Sequence, residues 1–127
     1  MNKAEKYNIQ VDVSTNYLEE QSSEPAKRFV FSYTITIRNT GNIAARLISR
    51  HWIITNANGE TQEVQGLGVV GEQPYLQPGE EFRYSSGSVL ETPVGTMEGS
   101  YTLIADDKLE FKTPIPPFTL SVPHTLH

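Results

Sequence analysis

Gly66, Gly68 and Gly71 fall in the spacing G-x-G-x-x-G, the arrangement that in dinucleotide-binding folds lets a backbone close on a pyrophosphate. The chemistry of such a loop is anion capture. Glycine allows N–H groups to converge, and the helix that follows presents its positive end to the phosphate. Here Gly71 is followed by Glu-Gln-Pro-Tyr-Leu-Gln-Pro. Pro74 and Pro78 stand four apart, and a proline in a helix interior costs about 3 kcal/mol, so the required helix cannot form. The G-K-[ST] triplet of a P-loop is also missing, and no Lys or Arg occurs between Thr61 and Phe82. These residues describe a shaped loop, with Leu67, Val69 and Val70 as apolar anchors. A backbone nest that takes an anion or a peptide carboxylate without a basic side chain is the alternative.

Other reactive residue types are sparse. His51 precedes Trp52 inside a strand-like run and reads as a sheet-face residue. His124 and His127 are the metal candidates: three apart in the tail, they could share a divalent cation with the terminal carboxylate if the segment curled. Two histidines with no cysteine or carboxylate beside them define no usual site, however. Asp106 and Asp107, with Asp12 and Glu110, lack the spacing of a calcium loop and read as turn and surface residues. Ser85, Ser86 and Ser88 surround Gly87 in a strand, not in the strand-to-helix elbow that exposes a nucleophile. No catalytic constellation emerges, so the expectation is a protein that is not an enzyme and carries no cofactor.

The elements that must position these residues alternate with period two. Phe29, Phe31, Tyr33, Ile35 and Ile37 share one parity against Ser32, Thr34, Thr36 and Arg38, which predicts a strand over Phe29 to Asn39 with one buried face. Tyr7 to Tyr17 alternates likewise. Arg46 to Thr55 places Ile48, Trp52, Ile54 and Arg50 on one face and Leu47, His51 and Ile53 on the other. Asn58-Gly59 then predicts a type I′ turn returning through Thr61 to Val64. Further strands are predicted at Phe82 to Leu90, Ser100 to Ala105, Leu109 to Lys112 and Phe118 to Val122. Glu19 to Lys27 reads as a polar loop. No apolar pattern of period 3.6 persists over three turns, so the fold class is all-β: an antiparallel two-sheet sandwich of the immunoglobulin or fibronectin type III kind.

Composition agrees with that class. A chain of 127 residues, 37% of them hydrophobic, has the material for one core and one domain over 1–127, with residues 1–6 and 123–127 expected to be less ordered. Zero cysteine excludes a disulfide framework and thiolate chemistry. A formal charge of −5 with scattered basic residues disfavours nucleic acid and anionic membranes as partners. No signal-like or membrane-spanning stretch is present, and a cytoplasmic location is expected.

Leu76, Pro78, Gly79 and Phe82 resemble the L-x-P-G-x-x-Y corner of fibronectin type III domains, in which Pro-Gly turns the chain between sheets and the tyrosine hydroxyl bonds back to the corner. Phenylalanine at the tyrosine position forgoes that bond, about 1 kcal/mol net. More specifically, the blocks V-x-G-x-G-V-V-G-x-x-P from Val64, L-x-P-G-E-x-F-x-Y-x-S-G from Leu76 and T-P-x-G-T-M-x-G-x-Y from Thr92 resemble the ApaG family. Phe31 to Asn39, Arg50 to Thr55 and Pro117 to Pro123 extend the likeness over nearly the whole chain. That resemblance implies a bacterial single-domain sandwich whose gene neighbours those for a diadenosine tetraphosphatase and a ribosomal RNA methyltransferase, with an association to cobalt and magnesium resistance or efflux. Related domains within eukaryotic F-box and polymerase-interacting proteins imply a protein-interaction module. The family brings no agreed catalytic residue, and a chain without a membrane span cannot itself conduct an ion.

The expectation is therefore a noncatalytic module that binds an unidentified protein partner. Gly66, Gly68, Val69, Val70 and Gly71 are its candidate contact loop, and any aromatic exposed among Tyr75, Phe82, Tyr84 and Tyr101 would mark the surface. The alternative is a small regulator that binds a nucleotide, pyrophosphate or divalent cation through the glycine loop or His124 and His127.

Overall fold

Alternation becomes burial in the strand Phe29–Asn39, where every second side chain from Phe29 to Asn39 is buried and the intervening Ser32, Thr34 and Thr36 are half exposed. In the computed structural model, which describes residues 6–123, this is β2 of eight strands. The others are β1 (Ile9–Tyr17), β3 (Ala45–Asn56), β4 (Thr61–Leu67), β5 (Tyr75–Leu76), β6 (Glu81–Leu90), β7 (Val94–Ala105) and β8 (Glu110–Ser121). A 3-10 turn at Glu19–Gln21 interrupts the polar connection from β1 to β2. All pairings are antiparallel. One sheet has the order β1-β2-β6; the other has the order β4-β3-β7-β8, with β5 added to β3. The result is an all-β sandwich of the fibronectin type III kind.

The inner faces meet around Trp52, whose indole makes edge contacts with Tyr33, Phe118 and Tyr101 at centroid distances of 5.4, 5.8 and 6.5 Å. Such perpendicular aromatic pairs add to plain area burial. The hydroxyls of Tyr84 on β6 and Tyr101 on β7 lie 2.5 Å apart and join the two sheets through the core. Burial pushes the Tyr84 phenol up to about 12, and pushes that of Tyr101 up further still. Both stay neutral and can share one proton donor between them.

Three local predictions fail for identifiable reasons. A register shift between Leu47 and Ser49 resets the parity of β3, so Leu47 is buried and Ile48 turns away from the core. Asn58-Gly59 does not make a type I′ turn. Gly59 alone has positive φ (81°) there, and its N–H donates to Asn56 O at 3.0 Å, giving a three-residue loop of a type I turn followed by a left-handed glycine. Finally, β8 runs unbroken through Pro114, Pro116 and Pro117, where the sequence pattern suggests two strands. It is an edge strand, so only one side of its backbone is needed for the ladder, and Pro116 and Pro117 stand opposite the single residue Glu98 in a bulge.

Candidate functional site

The glycine loop leaves β4 at Leu67 and returns to β3 through Gln73 and Pro74. Its tip is a tight turn: Val69 N donates to Glu72 O at 2.8 Å and Glu72 N to Val69 O at 2.9 Å. The two residues between have φ of 43° (Val70) and 82° (Gly71), the left-handed pair of a type I′ turn. A β-branched residue at positive φ is a genuine outlier. Gly68 is equally constrained: its φ is 63°, and a Cβ there would lie 2.3 Å from Glu72 O. Only glycine fits.

Contacts from elsewhere hold this shape. Arg50, on the inward parity of β3, donates from Nη1 to Leu67 O (3.0 Å) and Gly68 O (2.9 Å), and its guanidinium covers Gly66, where a Cβ would meet Nη1 at 2.8 Å. Gly68 N and the Gln73 side-chain amide both donate to Ile48 O, at 2.8 and 2.9 Å. The N–H groups of Gly68, Val69 and Glu72 are thus already engaged within the protein, which breaks the run of free donors an anion nest requires. Positive charge does reach the loop, but it comes from β3 and is directed at carbonyls. The sequence survey of Thr61 to Phe82 missed Arg50 because its register opposite Gly66 is a property of the sheet.

The apolar residues of the loop divide sharply. Val69 is fully buried, whereas Leu67 and Val70 are 74% and 55% exposed. Of the aromatics considered as surface markers, Tyr84 and Tyr101 are core residues and Phe82 is half-buried beside Tyr84; Tyr75 alone is exposed. Its ring lies under the Arg46 guanidinium, and its hydroxyl donates to Asp106 at 2.7 Å.

Leu76, Pro78 and Gly79 turn the chain from β5 in one sheet to β6 in the other. Glu80 N donates to Gln77 O at 2.9 Å and Gly79 has φ 90°, a type II turn with proline and glycine in their preferred places. Leu76 is buried beneath it. The polar tie comes from Asn39, a buried residue the motif did not announce. Its Nδ2 donates to Ile43 O and Leu76 O, both at 2.9 Å, its Oδ1 accepts from Gly41 N at 2.9 Å, and its backbone pairs with Gly79 and Glu80. A polar residue at the inward parity of β2 was the available signal.

Among the described residues no group of three His, Asp or Glu side chains could hold a metal. His124 and His127 lie outside the described residues. Asp107 instead accepts from the Tyr7 hydroxyl and pairs with Lys6 at 3.0 Å, contacts that hold its carboxyl down at about 2.

Comparison with known proteins gives a consistent family. Residues 19–105 match the model of the ApaG domain. Over 127 residues, all of both chains, the sequence is 59% identical to Protein ApaG of Thiobacillus denitrificans and 58% identical to Protein ApaG of an Azoarcus species. A crystal structure from Bordetella pertussis, described as an ApaA protein, superposes with a TM-score of 0.93 at 48% identity, covering 95% of this chain and 98% of the other.

Proposed function

This chain belongs to the ApaG domain family, and from that premise we propose that it is a noncatalytic binding module that offers the tip of its glycine loop to a protein partner. The observation that carries this reading is Val70. A branched side chain at positive φ costs on the order of 1–3 kcal/mol, and this one recovers little by burial because it is exposed, as is Leu67 in the same loop. Strain kept at an exposed apolar tip is the pattern of a surface shaped for contact. Family association with cobalt and magnesium tolerance would then be exerted through the partner. Occupancy of the loop's N–H groups weighs against the nucleotide reading, and calorimetric titration with ATP, GTP and pyrophosphate should give no saturable heat.

The test is affinity capture from the native host with the full chain as bait, beside a Leu67→Ser/Val70→Ser variant of matching circular dichroism. A protein retained reproducibly by the native chain and lost with the variant is the expected result. Equal recovery by both baits, or recovery by neither, would overturn the assignment to this tip.

A further inference from the structure

The outward faces of the two sheets differ in how their polar groups are satisfied. On the three-stranded sheet they pair with one another: Gln10 donates to Asp12 at 3.0 Å, the hydroxyls of Thr34 and Ser85 meet at 2.7 Å, Arg83 donates to Thr36 at 3.1 Å, and Arg38 pairs with Glu81 at 2.5 Å. On the five-stranded sheet the register sets Leu67, Ser49, Thr102 and Lys112 in one row and Gln65, His51, Ser100 and Pro114 in the next. The side chains of Ser49, Gln65, Ser100, Thr102 and Lys112 have no hydrogen-bond or ion-pair partner among the described residues. His51 Nε2 is buried without a hydrogen bond, the Glu63 carboxylate standing 3.8 Å away.

Small side chains on the middle strands leave this face concave. Two adjoining hollows of about 430 and 350 Å³ share His51 and Ser100. The first presents Lys112, hydroxyls and the Gln65 amide, with no carboxylate among its lining residues, in a chain of formal charge −5; the Arg50 guanidinium points to the inward side, where the loop carbonyls hold it. The second is walled by Ile53, Pro114, Pro116 and Pro117, with Glu98 at its side.

We propose that these hollows receive an extended acidic segment of the partner protein: one carboxylate enters the first hollow, and an apolar side chain two residues along lies against the prolines of the second. This rests on the protein-binding reading and specifies the partner's chemistry. A carboxylate completes hydrogen bonds that Ser49, Ser100, Thr102 and Lys112 lack, and charge-assisted bonds of that kind are the stronger ones. Side chains two apart on an extended chain point the same way and are about 7 Å apart, which suits adjoining hollows. Glu98 opposes a second acid in the apolar hollow and so fixes the direction of the segment.

Amide NMR of the full chain tests this with the blocked pentapeptide Gly-Glu-Gly-Leu-Gly, its Gln counterpart and acetate. The expected result is saturable shifts confined to the amides around His51, Ser100, Thr102 and Lys112, with binding about tenfold weaker for the Gln peptide and for the exposed-site variant Lys112→Glu. Absence of localised shifts, equal binding of the Gln peptide, or indifference to Lys112→Glu overturns it. Acetate binding as well as the peptide overturns the segment as occupant in favour of a free carboxylate. If Lys112→Glu still captures the partner that Leu67→Ser/Val70→Ser loses, the hollows are refuted and the binding reading stands.

Discussion

The two turns on either side of β4 both place a glycine at positive φ, yet they are held by different means. At Asn56–Glu60 the turn satisfies itself: Asn56 Oδ1 accepts from Asn58 N at 2.9 Å and Glu60 N at 3.1 Å, and a Cβ on Gly59 would meet nothing within 4 Å. At Val69–Glu72 the turn is imposed. Arg50 and the Ile48 carbonyl grip its flanks, Gly68 has no room for a side chain, and Val70 is bent into a conformation it disfavours. A turn written in its own residues can be altered cheaply. One dictated by tertiary contacts concentrates both strain and sensitivity, which is why the second is the better place to look for function.

That contrast can be broken by substitution. Gly68→Ala should cost about 3 kcal/mol or more, seen as a large fall in Tm, because it meets both a backbone oxygen and an unfavourable φ. A fall no larger than that of Gly59→Ala would erase the distinction between the turns. Arg50→Met removes two charge-assisted bonds to loop carbonyls and should cost about 2 kcal/mol, with faster amide exchange concentrated in residues 66–73. Val70→Asn should act in the opposite direction, raising stability by about 1 kcal/mol in urea unfolding, since Asn tolerates the left-handed region. If Val70→Asn destabilises, the strain assigned to the tip is absent. Gly59→Ala, at the self-contained turn, should cost about 1 kcal/mol, the smallest loss of the series.

How much of this could be read in advance depends on the range of the interaction. The alternation of Phe29 to Ile37 is local, so β2 and the sandwich class were legible, as was the Pro-Gly turn at Pro78-Gly79, whose residues encode their own dihedrals. Asn58-Gly59 was misread because the loop closes over three residues, with the Asn56 side chain inside it, and that choice depends on strand register. The type I′ geometry sits instead at Val70-Gly71, where glycine suits the second position but no local preference favours valine at the first. Arg50 and Asn39 act on segments 17 and 37 residues away in sequence, distances at which a linear pattern is silent. The unbroken course of β8 likewise follows from its place at the sheet edge.

That edge has a colloidal consequence. A strand carrying Pro114, Pro116 and Pro117 cannot present the continuous row of donors that another chain's strand would need in order to zip onto it. The sandwich is thereby terminated on one flank, and sheet-to-sheet polymerisation in a crowded solution has one direction fewer in which to grow.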